Sequence, residues 1–373
     1  MNDWLEQASD RIKQAVADKQ TLTIRGGNSK HFYGNAASGS VLSTLANSGI
    51  VDYKPRELTI TALAGTPLSE IESLLAQNNQ ILPFEPPHFG TATWGGCVAS
   101  GLSGPSRPYR GAVRDAVLGV SLLDGRGQHL HFGGRVIKNV AGYDVSRLMA
   151  GSMGTLGVLT EITCKVLPRP ECERTVVLDS DRNIAIHTMN MLATKPLPIS
   201  ATAWRRGEGV LGQMLIRLSG TESAVVAAMK QIGGTRFGDT TSNDTTFWDD
   251  LKEHRLAEFA ARPLWRVSVP ATTQARSAAL EFPNVVMVEW GGALRWLGGD
   301  LPADYIFCLA AHMGGHATLF YQGDNGLHEA NGEGITGQEV VNVFSPLTLP
   351  MAEMNQRIRQ IFDPHGVFDA NRL

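Results

Sequence analysis

The chain has 373 residues, which is long enough for two domains with separate hydrophobic cores. Its 33 lysine and arginine residues nearly balance 36 aspartate and glutamate residues, giving a formal net charge of -3 at pH 7. This balance, without a long run of like charge, disfavours nucleic-acid binding driven by counterion release.

The cysteines and the apolar runs restrict the cofactor and the location. The four cysteines contain no C-x-x-C pair, which argues against an iron–sulfur cluster or a structural zinc site built from this chain alone. The polar start of the chain and the short apolar run 305–311 predict neither a secretory signal nor a membrane span. We therefore expect a cytoplasmic protein.

The first half of the sequence predicts alternating helices and strands. Apolar spacing predicts a helix over 3–18 and a strand over 21–24 that runs into a Gly-Gly turn. A second strand is predicted over 57–64, and a helix opens after it, with Thr66 as its cap and Pro67 at its first position.

The later elements predict a hairpin and then a change of domain. An Asp-Gly turn at Asp124 separates two apolar strands within 116–132, and another strand covers 157–166. The proline-rich residues 167–170 then mark a domain boundary. Beyond it, an α+β pattern follows, with helices over 182–192, 221–232, 246–259 and 351–362 and strands over 213–218 and 265–269.

Residues 25–30 (Arg-Gly-Gly-Asn-Ser-Lys) follow the first strand and suit a diphosphate. The glycines allow consecutive amide groups to point inward, and Asn28, Ser29 and a cation supply further donors. A tight solvated turn without a ligand is the alternative. The segment is neither a Walker P-loop nor G-x-G-x-x-G, which disfavours a nicotinamide-binding Rossmann fold.

Two further glycine-rich segments leave their role open. Residues 93–100 place small side chains either under a flat ring system or in a closely packed sheet corner. In 151–158, main-chain groups of Gly157 and Val158 could pair with a purine edge, or the segment is an ordinary helix-to-strand turn. The density of glycine over 95–111 predicts positive φ angles or close backbone approach at several positions.

Two polar segments are candidates for substrate or metal chemistry. Residues 138–144 bring a cation, an amide and a phenol together, as for a small carboxylate, or form a surface turn in which Asp144 caps the next helix. His312 and His316 have metal-ligand spacing, but Gly314 and Gly315 between them argue against a helix, and no carboxylate ligand is near. We therefore predict no metal site.

Together these blocks strongly resemble the FAD-binding domain of the vanillyl-alcohol-oxidase superfamily, the PCMH-type fold. The matching blocks are 24–30, 64–66, 93–100, 111–119, 136–144 and 151–161. The resemblance implies an α+β protein. Its parts would be a PCMH-type FAD-binding domain of two α+β lobes over 1–170, a smaller α+β cap domain over 171–330, and a C-terminal helix and tail over 331–373 that returns to the FAD domain.

The resemblance also implies the residues that bind FAD. The expected residues are Arg25, Gly26, Gly27, Asn28, Ser29, Lys30, Gly65, Thr66, Thr93, Gly95, Gly96, Ala99, Ser100, Gly154, Gly157 and Val158. Covalent relatives usually carry a histidine where this chain has Asn28, so we expect non-covalent FAD, with nearby His31 as the covalent alternative. Arg110, Lys138 and Tyr143 are the polar residues expected near the flavin ring.

A finer resemblance, nearly end to end, is to the family of FAD-binding E subunits of glycolate oxidase. Residues 25–34, 138–144 and 362–368 carry it. It implies a complex that oxidises glycolate, a small 2-hydroxy acid, to glyoxylate. The implied partners are the FAD-binding catalytic D-type and the iron–sulfur F-type components of glycolate oxidase, through which any contact with the inner face of the cell membrane would be made.

Two departures from related catalytic sequences bear on the role of this chain. Residues 312–319 do not match well the His-Gly-x-Gly/Asp-x-x-His motif of enzymes that oxidise 2-hydroxy acids, and the closing Asn-Pro-Gly-Lys is replaced by residues 369–372, which end in Arg372. Three roles stay open: a redox subunit, a structural subunit stabilised by FAD, or an independent dehydrogenase of another 2-hydroxy acid such as lactate.

Overall fold

The structure is a computed structural model that describes residues 3–134, 144–207, 211–236, 243–273, 281–322 and 342–373. Its helices are α1 (Asp3–Ala17), α2 (Leu68–Gln77), α3 (Trp94–Ser100), α4 (Arg107–Arg110), α5 (Val113–Ala116), α6 (Val145–Leu148), α7 (Arg182–Ala193), α8 (Glu222–Ile232), α9 (Asn243–Lys252), α10 (Ala303–His312) and α11 (Leu349–Phe362). Its strands are β1 (Leu22–Arg25), β2 (Ser40–Ser43), β3 (Ile50–Lys54), β4 (Thr59–Leu63), β5 (Gln80–Ile81), β6 (Val117–Leu123), β7 (His129–Gly133), β8 (Val158–Lys165), β9 (Leu167–Pro168), β10 (Cys172–Ser180), β11 (Ile199–Arg205), β12 (Gly212–Gly220), β13 (Thr235–Arg236), β14 (Leu264–Ser268), β15 (Val285–Glu289), β16 (Leu294–Gly298) and β17 (His316–Tyr321).

The described parts of 1–104, 111–169 and 347–373 form a first compact unit. Its main sheet is antiparallel, with the strand order β3-β4-β8-β6-β7. Ile60, Ile162 and Leu122 from this sheet pack with buried side chains of α2 and α3 in one core. Trp94 of α3 is fully buried there, and its indole N–H donates to the carbonyl of Ile162 (3.2 Å). The first turn of α3 is therefore packed against this sheet and hydrogen-bonded to it.

The strands β1 and β2 form a smaller parallel sheet, and β1 is hydrogen-bonded to the C-terminal tail. Leu22 of β1 donates its amide to the Val367 carbonyl (2.7 Å), and its carbonyl accepts from Asp369 (3.0 Å). Phe368 is buried with Leu22 and with Ile12 of α1. The last residues of the chain thus fix the strand that leads into residues 25–30.

The second compact unit comprises the described parts of 105–110 and 170–346. Its antiparallel sheet has the strand order β13-β10-β12-β11-β15-β16-β14-β17. Helices α7, α8 and α10 contribute apolar side chains to a core against this sheet, including Met189, Val225 and Ile306. Helix α4 packs on β11 within the same unit. The domain boundaries predicted from the sequence, at residues 170 and 330, stay a prediction.

Several local predictions are confirmed, among them α1, β1, the hairpin of β6 and β7, and α7 and α8. The predicted cap of α2 is wrong. Pro67 lies before the helix at the N-cap, while the Thr66 hydroxyl donates to the Leu63 carbonyl (2.7 Å) and accepts from the Gly49 amide (2.9 Å). Thr66 instead ties the preceding turn to a neighbouring loop, because its hydroxyl is fully buried and needs partners there.

Other boundaries also differ from the predictions. Residues 94–100, for which a sheet corner was one interpretation, form helix α3. The helix predicted over 246–259 ends at Lys252, and a separate 3-10 turn covers Ala257–Ala260. Among the residues that the structure describes, no helix is long and apolar enough to cross a membrane.

The attachment of the tail makes a stability prediction. Phe368→Ala removes a side chain that is 1% exposed, and we expect it to lower the free energy of unfolding of the first unit by about 3–5 kcal/mol, the usual cost of such a cavity. Urea unfolding measures this change. Leu349→Ala, at a position 80% exposed, is the control and should change it by less than about 0.5 kcal/mol. Equal effects of the two substitutions would contradict the tail's role.

Candidate functional site

A cavity in the first unit brings together most of the residues predicted to bind the cofactor. The empty space within it, part of which is open to solvent, is about 990 Å³. The predicted residues that line it are Arg25, Gly26, Gly27, Asn28, Ser29, Lys30, Thr93, Gly95, Gly96, Ala99, Ser100, Gly154 and Gly157. Three separate glycine-rich segments therefore share one wall.

The loop after β1 lies very close to residues 91–93. A β-carbon added at Gly27 would lie 1.6 Å from the carbonyl oxygen of Thr91, and one at Gly26 would lie 2.3 Å from Thr93 Oγ1. The Thr91 hydroxyl donates to the Gly27 carbonyl (3.1 Å). Asn28 has a positive φ of 58°, which Asn tolerates better than most residues. Glycine is needed here because protein backbone, rather than a ligand alone, approaches it.

Helix α3 forms the second part of the wall. Thr93 caps it by accepting a hydrogen bond from the Gly96 amide (3.3 Å). A β-carbon at Gly95 would lie 2.8 Å from that of Ala64, so glycine lets the helix sit directly on the turn after β4. Gly101 ends the helix with a φ of 65°. The predicted positive φ angles and close approaches are confirmed at these glycines.

The segment before β8 completes the wall. The amide of Met153 donates to the Ala99 carbonyl of α3 (2.9 Å). Gly154 has a φ of 81° and Gly157 has a φ of 147°, and a β-carbon added at Gly157 would lie 2.8 Å from the Leu123 carbonyl oxygen. Hydrogen bonds to α3 therefore hold this segment beside the cavity.

Three predicted FAD-binding residues do not line the cavity. A β-carbon at Gly65 would lie 2.1 Å from the Thr44 carbonyl oxygen, Thr66 is fully buried in its turn, and Val158 is fully buried beside Leu22. Their predicted contacts with the cofactor stay predictions.

Positive charge surrounds the cavity. Arg25, Lys30 and Arg372 all line it. The Lys30 ammonium donates to the His88 carbonyl (3.2 Å) and lies 5.8 Å from the ring centroid of Phe89. Burial lowers the pKa of Arg372; the carboxylate of Asp369 acts to raise this pKa, and Arg25 acts to lower it. A dianionic diphosphate is the kind of group that such a charge distribution stabilises.

Arg372 also fixes the shape of the loop that follows Lys30. Its guanidinium donates to the carbonyls of His31 (2.9 Å), Lys30 (3.4 Å) and Asn35. The sequence analysis identified Arg372 only as the basic end of the tail. It missed other lining residues, namely Tyr33, Ala37, Ser152, Met153 and Leu159. Tyr33 lies within the 25–34 motif, and Ser152, Met153 and Leu159 lie within the 151–161 block, so these four could have been found from the sequence. Ala37 lies outside every matching block.

Of the three residues expected near the flavin ring, the structure describes only Arg110. Arg110 belongs to the second unit, where its guanidinium pairs with the Glu173 carboxylate (3.3 Å), which also accepts from the Ser219 hydroxyl (2.7 Å). Lys138 and Tyr143 lie outside the described residues. The described Asp144 caps α6 through the Arg147 amide (3.3 Å), as the surface-turn alternative predicts. Involvement of Arg110, Lys138 and Tyr143 in catalysis stays a prediction.

The two histidines with metal-ligand spacing lie at the junction of α10 and β17. His312 ends the helix, His316 begins the strand, and a glycine turn separates them. Within the described ranges, no group of three or more His, Cys, Asp or Glu side chains is placed to hold a metal ion.

Comparison with known proteins identifies the cofactor of the chain. Residues 5–133 match the family described as "FAD binding domain". Glycolate oxidase subunit GlcE of Escherichia coli (strain K12) is 41% identical over 373 residues, covering 100% of this chain and 97% of that protein.

Two further relatives match only part of the chain. Glycolate oxidase subunit GlcD of Bacillus subtilis (strain 168) is 30% identical over 43% of this chain and 34% of its own length. D-lactate dehydrogenase of Archaeoglobus fulgidus is 31% identical over 44% of this chain and 37% of its own length. These matches span about a third of each relative.

A solved structure shares the fold. Alkyldihydroxyacetonephosphate synthase superposes with a TM-score of 0.64 at 13% identity, covering 99% of this chain and 75% of that chain. The family match and this likeness confirm the predicted α+β, PCMH-type fold, and the FAD cofactor is confirmed with them. The glycine-lined wall and the surrounding cations fit the diphosphate of FAD, which the residues 25–30 and Arg372 would hold.

The close approach at Gly27 makes a prediction about FAD retention. Gly27→Asp would push the loop away from Thr91 and set a carboxylate among the residues that line the cavity, so the purified protein should be colourless. Gly27→Ala forces the same shift without the charge and should retain FAD more weakly than the wild type. Absorption spectra measure the bound flavin.

Gly220→Asp is the matched control, because a β-carbon there meets nothing closer than 3.6 Å and Gly220 lies in the second unit. It should leave the flavin absorption unchanged. A yellow Gly27→Asp protein with the wild-type flavin content would show that the diphosphate does not bind at this loop.

The identity of 41% extends over the whole chain, and residues 5–133 match the FAD binding domain family. The chain therefore belongs to the GlcE family of glycolate oxidase subunits and is an FAD-dependent oxidoreductase that acts on CH–OH groups.

Proposed function

We propose that the chain is the FAD-binding subunit of a complex that oxidises glycolate to glyoxylate and passes the electrons to an iron–sulfur partner. The observation that carries this proposal is the full-length similarity to a glycolate oxidase subunit, combined with a cavity lined by the residues expected to bind FAD. FAD, when bound, supplies a flavin that accepts a hydride from the carbon bearing the hydroxyl group.

The residues of this chain contribute binding and orientation. Lys30 and Arg25 supply positive charge to the diphosphate, and Arg372 keeps the loop that carries Lys30 in its conformation through three carbonyl acceptors. Gly95 and Gly96 of α3 line the same cavity. These features position FAD and do not themselves choose the substrate.

The proposed partners are a GlcD-type catalytic flavoprotein and an F-type iron–sulfur protein. The four cysteines of this chain are free; Cys97, Cys164 and Cys172 are buried and Cys308 is exposed. A cluster needs several cysteine thiolates that converge on one site, so a partner would carry the electrons onward. Contact with a membrane would be made through the same partners.

Oxidation of glycolate is favoured over oxidation of lactate by this chain alone. The similarity to a D-lactate dehydrogenase covers 44% of this chain, whereas the similarity to the glycolate oxidase subunit covers all of it. A non-catalytic subunit that needs FAD for folding is the remaining alternative, and the number of flavins reduced by glycolate separates it from a redox role.

The experiment compares two assembled complexes. One contains the wild-type chain and the other contains Gly27→Asp, each with the GlcD-type flavoprotein and the iron–sulfur protein. On anaerobic addition of glycolate, we expect the wild-type complex to bleach one more flavin per assembly, because the flavin of this chain is reduced together with that of the GlcD-type flavoprotein. Absorption spectra recorded under argon measure the difference.

An equal number of bleached flavins in the two complexes, with FAD present in the wild-type chain, would assign this chain a structural role. The same titration with D-lactate tests the substrate. Bleaching by lactate without bleaching by glycolate would contradict the proposed substrate.

A further inference from the structure

The last residues of the chain lie along the loop 30–38, part of which lines the cavity of the first unit. The Arg372 guanidinium donates to the carbonyls of His31 (2.9 Å), Lys30 (3.4 Å) and Asn35. The Asn35 amide donates back to the Arg372 carbonyl (3.3 Å), and a β-carbon at Gly34 would lie 2.9 Å from the same carbonyl oxygen. Both the main chain and the side chain of Arg372 are therefore fitted to this loop.

A carboxylate of the same tail holds the other end of the loop. Asp369 accepts from the Ser38 amide (2.6 Å) and from the Ser38 hydroxyl (3.2 Å). The amide of Asp369 donates to the Leu22 carbonyl (3.0 Å). The C-terminal tail, residues 367–373, is thus joined both to β1 and to the loop that follows it.

The cavity beside this tail is lined by cations. Arg25, Lys30 and Arg372 line it, and the described lining residues include no aspartate or glutamate. Burial lowers the pKa of Arg372; Asp369 acts to raise this pKa, and Arg25 acts to lower it further. Because like charges repel more strongly in partly buried surroundings than in bulk water, Arg372 lies near Arg25 at an electrostatic cost.

A dianionic diphosphate in the cavity would offset this repulsion. A guanidinium has five N–H donors, and the three carbonyls accept from the two terminal nitrogens of Arg372. The positive charge of Arg372 therefore acts on a bound diphosphate even where its remaining N–H groups do not reach it. A diphosphate that favours the docked tail is itself favoured by the docked tail to the same extent, since coupling between two binding events is reciprocal.

We propose that FAD binding and docking of the C-terminal tail are coupled through Arg372, so that each stabilises the other. This coupling goes beyond the proposed function and does not depend on the glycolate reaction. A tail that leaves its site takes one cation from the cavity and releases the loop 30–38. It also uncovers Leu22, whose side chain is fully buried and whose main-chain groups pair with Val367 and Asp369. Loss of FAD should therefore expose the C-terminus and the edge of β1.

Digestion of the full-length chain with carboxypeptidase Y measures docking of the tail. The FAD-loaded protein should lose its last residues about fivefold or more slowly than the FAD-free protein, within the usual range of coupling between sites. ADP carries the diphosphate without the flavin and should also protect the tail, whereas riboflavin has no phosphate and should not. Mass spectrometry of the intact chain follows the digestion.

Substitutions in the tail separate its charge from its docking. Arg372→Gln removes the cation and should weaken FAD binding by about tenfold to a hundredfold, the usual effect of losing a charged partner. Arg372→Lys keeps the charge but loses the fork that holds the loop, so its affinity should be intermediate. Phe368→Ala leaves all three cations in place but weakens docking, and it should weaken FAD binding as well. Flavin fluorescence measures the affinity, and circular dichroism establishes that each variant is folded.

Arg357→Gln is the matched control, because its side chain is 79% exposed on α11 and does not line the cavity. It should bind FAD as the wild type does. Wild-type FAD affinity of a folded Arg372→Gln protein, or equal digestion of the wild-type tail with and without FAD, would overturn the coupling. Equal protection by riboflavin and by ADP would overturn the role of the diphosphate in it.

General stabilisation of the fold by FAD is distinguished by the Arg372→Gln protein at saturating FAD. FAD should still raise its thermal midpoint, but the tail should be digested at nearly the same rate with and without the cofactor. Protection of the tail to the wild-type extent in this variant would show that FAD acts on the tail without Arg372, which contradicts the proposal.

Discussion

The cavity of the first unit depends on the close approach of two backbone segments. Gly27 lies so near the carbonyl of Thr91 that no side chain fits between them, and a β-carbon at Gly95 would lie 2.8 Å from that of Ala64. Each contact brings main chain, rather than side chains, to the cavity surface. Glycine loses more conformational entropy on folding than any other residue, so the core beneath α3, with Trp94 fully buried, has to hold these segments in place.

The C-terminal residues hold the loop after β1 although they are far from it in sequence. Arg372 donates to Asn35 across a separation of 337 residues, and the Asp369 carboxylate accepts from the Ser38 amide (2.6 Å). Phe368 anchors the same tail beside Leu22. Consequently one short tail sets both the position of β1 and the charge at the loop that follows it. Residues that would bind phosphate are thereby made rigid before any ligand arrives, which reduces the entropic cost of binding.

The sequence predicted contiguous features well and long-range features poorly. The 25–30 loop and the small residues of 93–100 were recognisable because their glycines are adjacent, and most of them line the cavity. The role of Arg372 was not, since it requires the parallel bridge between Leu22 and Phe368. Thr66 was wrongly predicted to cap α2, because its hydroxyl donates to the Leu63 carbonyl instead of accepting from the start of the helix.

The most direct test of the account is the absorption spectrum of the purified chain, repeated on the supernatant after acid precipitation. The cavity of the first unit, with Asn28 where covalent relatives carry a histidine, predicts a yellow protein whose flavin passes entirely into the supernatant as FAD. Flavin that stays with the precipitate would show a covalent link, with His31 as the residue to examine. A colourless protein that takes up no added FAD would contradict the central claim that this cavity binds the cofactor.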